Sequence, residues 1–119
     1  MVKNLKPVHP GEILHEEFMK PLGLSGNELA LDLCVPVTRI ADIVGERRGI
    51  GADTALRLAR YFKNAPAFWM NLQTRYGLEV AQDELAAKVE RDVQPVGNHV
   101  KPIKRWQGLR SMAKEILGT

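Results

Sequence analysis

The sequence predicts an all-α fold, and three observations point there. Apolar side chains recur at spacings of three and four in five successive stretches. Prolines stand where helices would begin, at Pro10, Pro36 and Pro66, and Gly23 stands where one would stop. Ser25-Gly26-Asn27-Glu28 is a capping box, in which a serine hydroxyl and a glutamate three residues on satisfy two otherwise orphaned backbone amides.

The first helix is expected from Pro10 to about Met19. Glu12, Glu16 and Glu17 put negative charge in its early turns, Ile13, Leu14 and Phe18 form a buried stripe, and Pro21 with Gly23 ends it. Ahead of it, Lys3 to Val8 lacks periodicity and reads as a loosely held arm. The second helix follows the capping box, with Leu29, Ala30 and Leu33 turned inward and Ala30 small enough to let a crossing helix approach. The chain then turns through Cys34-Val35-Pro36. The third helix places Ile40, Ile43 and Val44 on its inner face, leaving Val37, Thr38, Arg39 and Asp42 outward. Gly45 and Gly49 bracket a basic turn at Arg47 and Arg48. A fourth helix is expected from about Ala52 to Phe62, packing Ala55, Leu58, Ala59 and Phe62, with Arg57 and Arg60 outward. The fifth begins at Pro66, packs Phe68 or Trp69 with Leu72 and Tyr76, and continues past Gly77 through Leu78, Ala81, Leu85 and Val89 to about Asp92. The aromatics Phe62, Phe68 and Trp69 are read as core.

Two short helices crossing through small and apolar residues, from Ser25 to Gly49, form a helix-turn-helix, whose frequent use is to seat its second helix in a DNA groove. On that reading Thr38 and Arg39 meet base edges, with Val37 and Asp42 beside them. Ser25, Asn27, Arg47 and Arg48 meet phosphates, which orient a protein without reading sequence.

Charge agrees with this. The net charge is only +3, yet six Lys and Arg face three Asp and Glu between Pro36 and Lys63, and five face one beyond Pro95. A solvated basic face would look the same by charge alone. With 119 residues and 45% hydrophobic side chains, the chain can bury one modest core. Residues 1–94 are expected to form the helical domain with its extension, and residues 95–119 a basic tail, mobile when free, in which Leu109, Met112, Ile116 and Leu117 could make a short helix and Trp106 could anchor a partner. No apolar run approaches the roughly 18 residues of a membrane span, and no secretory signal opens the chain, so the cytosol is the expected compartment and no membrane partner is expected.

Catalysis is argued against. His15-Glu16-Glu17-Phe18-Met19 begins like the zinc-peptidase helix but carries Met19 where the second histidine ligand must stand. His9 and His99 lack Cys or acidic partners at ligand spacing, and no phosphate loop or nucleophile motif is present. No catalytic residue, metal or cofactor is expected. Cys34, the lone cysteine, is read as a partly buried structural thiol.

Four blocks in this order, His9-Pro10-Gly11-Glu12-Ile13-Leu14, the helix-turn-helix, Ala52-Asp53-Thr54-Ala55-Leu56-Arg57-Leu58-Ala59 and Phe68-Trp69-Met70-Asn71-Leu72-Gln73, resemble the HigA-type antitoxins of the wider XRE, or Cro/cI-type, class. The resemblance covers about Val8 to Pro95. It implies a five- or six-helix lambda-repressor-like DNA-binding domain that forms a homodimer, binds a palindromic operator in its own promoter, and binds a HigB-like messenger-RNA endonuclease toxin. The chain departs from that pattern at Cys34, where a turn glycine is usual, at Gly45-Glu46 in place of Asn-Gly, at Gly51 in place of a Ser or Thr cap, and at Gly77 in place of an acidic residue.

Within that frame, Glu12, Glu16 and Glu17 offer an acidic surface to a basic toxin, although solvated helix-start glutamates look the same. Leu78, Ala81, Leu85 and Val89 offer a stripe for a second copy. The alternatives are a stand-alone XRE repressor with no toxin partner, and a protein-binding module that touches DNA only weakly.

Overall fold

The computed structural model describes residues 6–97, and every regular element among them is helical. The tail beyond residue 97, including His99 and Trp106, and the part of the Lys3–Val8 arm before residue 6 lie outside the described residues.

Helix α1 is continuous from an α-helical turn, Pro10–Ile13, through a π-helical stretch, Leu14–Met19, to Lys20–Leu22. His9 caps it, its Nδ1 accepting the Gly11 amide at 2.9 Å. Pro21 does not end it. The Lys20 amide donates five residues back to the His15 carbonyl, and this wider winding gives a ring without an N–H room inside the helix. The same winding shifts the inner face. Leu14 and Met19, five apart, are buried, whereas Ile13 is only half-buried. The stop is Gly23, in the left-handed region at φ 65°.

Helices α2 (Gly26–Leu33), α3 (Val37–Val44), α4 (Ala52–Phe62) and α5 (Pro66–Asp92) fall where the periodicity predicts. Their core is Leu14, Leu29, Ile40, Ile43, Ile50, Leu58 and Trp69, all fully buried, filled in by Met19, Ala30, Leu33, Ala55 and Ala59. Ala30 and Gly11 let backbones approach. A Cβ on Gly11 would overlap the carbonyl oxygen of Ile43, so the first turn of α1 lies directly on α3. Trp69 donates its indole N–H to Asn64 Oδ1 at 3.0 Å, while Phe18 packs on Phe62 and Trp69 with centroids 4.9 and 4.8 Å away. Phe68, expected in the core, is 38% exposed, because α5 turns Trp69 inward and leaves Phe68 on the rim against Phe18 and Trp69.

Helix α5 runs through Gly77 without interruption. The chain divides into two compact units between Glu84 and Leu85. The second unit opens with the last turns of α5, where Lys88 pairs with Asp92, and all its described residues are exposed.

Burial holds His9 neutral by pushing its pKa below 6.5, against a weaker opposite pull from Glu46. Above about pH 6.5 folded and unfolded chains are both neutral at this ring and its contribution is whole. As the pH falls from there through the lower folded value, the unfolded chain takes up a proton that the fold refuses, and stability drops. Denaturant unfolding at pH 7.5 and 5.5 should show a larger loss for the wild type than for His9→Asn, which keeps a capping acceptor but cannot titrate. Equal losses would contradict this role.

Candidate nucleic-acid interface

The capping box forms as read: the Glu28 amide donates to Ser25 Oγ at 3.0 Å and the Ser25 amide to Glu28 Oε1 at 2.9 Å. Such a cap contributes about 1 kcal/mol. At the other end of α2, Cys34 takes the left-handed conformation, φ 59°, that favours glycine. Its amide bonds to the Leu31 carbonyl at 3.1 Å, and the Val35 amide to the Ala30 carbonyl at 3.0 Å, so the reversal is a Schellman turn with a Cβ in it. The Cys34 side chain is exposed, not partly buried, because a left-handed residue at this end directs its Cβ away from the packed face.

Pro36, extended at φ −61° and ψ 144°, precedes α3 as its N-cap and supplies no side-chain bond to the first turn. Two residues of α3, Ile40 and Ile43, are buried completely, which fixes how the helix rolls on the core. Val37, 45% exposed, and Thr38 then stand in solvent at its start. The next two candidates are placed differently from expectation. The Arg39 side chain is only 25% exposed and pairs with Asp53 at 2.5 Å, while Asp42 is half-buried and accepts from Arg47 at 3.0 and 3.2 Å. Both are held rather than loose, because oppositely charged residues from the next loop and from α4 lie within reach.

The loop after α3 repeats the turn chemistry. Glu46, at φ 63°, takes the left-handed position, with the Arg47 amide bonded to the Asp42 carbonyl at 2.8 Å. Gln73 of α5 steadies the far side, its Oε1 accepting the Ile50 amide at 2.7 Å. Arg48 is exposed and makes no ion pair or hydrogen bond among the described residues. Ser25 is committed to its cap, and Asn27 is exposed.

Reading the sequence missed two anchors. Asp53 receives Arg57 Nε at 3.0 and 3.2 Å as well as Arg39, and Arg57 Nη1 donates to the Leu33 carbonyl at 2.8 Å. The Arg57 hydrogen bond, then that of Arg39, holds the Asp53 carboxyl below its usual range. The i, i+4 spacing of Asp53 and Arg57 signalled half of this arrangement. Gln73 stands in the Phe68–Gln73 block, but nothing in its spacing points to Ile50, 23 residues earlier.

Of the remaining candidates, Glu12 and Glu17 are exposed, and Glu16 is engaged by Lys20 and His15, each at 3.1 Å. Among the described residues no group of His, Cys, Asp and Glu could hold a metal ion, and no helix is long and apolar enough to cross a membrane.

No family model matches the chain. It is 54% identical over 83 residues to virulence-associated protein I of Dichelobacter nodosus, an alignment covering 69% of this chain and 77% of that protein. It is 43% identical to the Pseudomonas aeruginosa antitoxin HigA solved with the higBA promoter, with a TM-score of 0.74, covering 77% of this chain and all of that one. Antitoxin GraA, solved in complex with its operator, is 41% identical at a TM-score of 0.74, covering 78% of this chain and 94% of that one.

A left-handed Cβ disfavours the Cys34 turn by roughly 1 to 2 kcal/mol, partly offset in glycine by its freer unfolded chain. Cys34→Gly should therefore raise stability by about 0.5 to 1 kcal/mol in urea denaturation. A loss of stability would show that the turn is not strained.

Proposed function

We propose a function from one premise: the chain belongs to the HigA-type antitoxin family of helix-turn-helix proteins. It binds double-stranded operator DNA in its own promoter as a homodimer, represses that operon, and neutralises a HigB-like messenger-RNA endonuclease in the cytosol. The observation that carries the DNA part is the exposure of Val37 and Thr38 at the start of a helix whose other face is sealed by Ile40 and Ile43. An eight-residue helix so oriented suits the floor of a major groove.

Roles divide by what each side chain has free. Thr38 and Arg39 read base edges, with Val37 as an apolar contact and Asp42 as an acceptor or a repellent. Asn27, Arg47, Arg48 and the Ser25 end of α2 meet phosphates. Arg47 reaches them with the donors that Asp42 leaves over, whereas Arg48 brings its whole guanidinium.

One such unit spans only a few base pairs, so two copies engage half-sites about 34 to 36 Å apart or a multiple of that. Leu78, Leu85 and Val89 are 62%, 46% and 51% exposed, and with Ala81 they supply apolar surface that a second copy would remove from water. For the toxin, Glu12 and Glu17 are exposed carboxylates that fit a basic nuclease, with Glu16 shared between this surface and Lys20.

Fluorescence binding to a duplex of the chain's own promoter region tests the DNA part. Arg39→Ala should relax preference at one base pair by about tenfold, and Arg48→Ala should weaken all sequences alike and shallow the salt slope by about one unit. Equal affinity of the wild type for promoter and random duplexes overturns the repressor reading. Sedimentation tests the dimer: the wild type at micromolar concentration should run as a dimer and Leu85→Glu as a folded monomer. A monomeric wild type removes this interface.

A further inference from the structure

We propose that Asp53 is a positioning residue that sets sequence specificity: it fixes the Arg39 guanidinium in the plane that reads a base, so its loss lowers discrimination more than affinity. The inference rests on the operator-binding reading above. Its basis is a chain of bonds running across three helices. Arg39 Nη1 on α3 donates to Asp53 Oδ2 on α4 at 2.5 Å, Arg57 Nε donates to both oxygens of that carboxylate at 3.0 and 3.2 Å, and Arg57 Nη1 reaches the Leu33 and Cys34 carbonyls at 2.8 and 3.4 Å. The carboxylate that meets Arg39 is thus itself anchored to the C-terminal end of α2.

A guanidinium carries five N–H donors in one rigid plane. Asp53 takes a single Nη1 donor from Arg39, and no further bond from that guanidinium is made among the described residues. The donors left over include a parallel pair, which is what O6 and N7 of guanine require. An unheld arginine must give up rotamer freedom when it binds, and it can meet phosphates as readily as bases; one held by a carboxylate is ordered beforehand and faces one way. A carboxylate acting only through its charge would have the opposite signature. Its removal would tighten binding to every duplex and leave the preference for the promoter untouched.

The test uses the full chain, with paired titrations of the promoter duplex and a scrambled duplex of equal composition. The variants are Asp53→Ala, the near-isosteric Asp53→Asn, Asp53→Glu, Arg39→Ala and the double variant Arg39→Ala with Asp53→Ala, each checked for native helicity. Asp53→Ala and Asp53→Asn should hold or raise affinity for scrambled DNA and reduce the promoter-to-scrambled ratio by about tenfold, with Asp53→Glu recovering part of it. In the Arg39→Ala background the same substitution should change the ratio by less than about twofold, because Asp53 acts through Arg39. An unchanged ratio for folded Asp53 variants overturns the proposal while leaving operator binding intact, and so does an equal drop in the Arg39→Ala background. A wild type that does not discriminate at all overturns the operator reading, and this inference with it.

Discussion

An isolated helix of two turns does not persist in water, where lengths below roughly 12 to 15 residues are marginal even for strong helix formers. Helix α3 has eight residues and exists because Ile40 and Ile43 are sealed against α1 and α2. That burial is the constraint on which the rest depends. It creates the helix, and by fixing the buried face it also decides which side chains face solvent. Gly11 and Ala30 are the counterparts of this constraint on the partner helices, small enough that the backbones can close on α3 without a gap.

Left-handed residues make the sharp reversals that this arrangement needs. Gly23, Cys34, Glu46 and Lys63 each end a helix at φ near 60°, and only the first is glycine. The Cβ strain at the other three is tolerated because the turns are over-determined: the Cys34 and Glu46 turns carry paired amide bonds, and Gln73 and Arg57 brace the loops from α5 and α4. Charge is organised the same way. Arg39, Arg47 and Arg57 all have acidic partners and form a fixed pattern within the basic stretch, whereas Arg48, Arg60 and Lys63 make no ion pair among the described residues. A surface that discriminates among sequences gains from such ordering, because a side chain held in one orientation cannot turn to a phosphate and bind the wrong site as readily as the right one.

The helices were legible in the sequence because each is written in local chemistry. The capping box announced α2, Pro66 announced α5, and the spacing of Ile40 and Ile43 gave the roll of α3. The π-helical stretch was not legible, since Leu14 and Met19 at a spacing of five resemble an imperfect α stripe until the Lys20 amide is seen to skip to His15. Nor was the exposure of Phe68 beside buried Trp69, which depends on the angle at which α5 meets Phe18. At the candidate interface the outward positions of Val37 and Thr38 follow from periodicity. The pairing of Arg39 with Asp53 does not, because it joins residues fourteen apart through the roll of two helices. His9 shows the same limit: as a sequence feature it is a lone histidine, and only the fold makes it a buried cap that packs edge-on against Tyr76.

The proposed DNA-facing surface is the start of α3 and the loop after it. Amide chemical-shift mapping of the full chain, titrated with its promoter duplex, tests this most directly. The largest shifts should fall on Val37, Thr38, Arg39 and Arg48, with smaller ones at Asn27. Shifts centred instead on Glu12 to Glu17 of α1, with α3 silent, would contradict it.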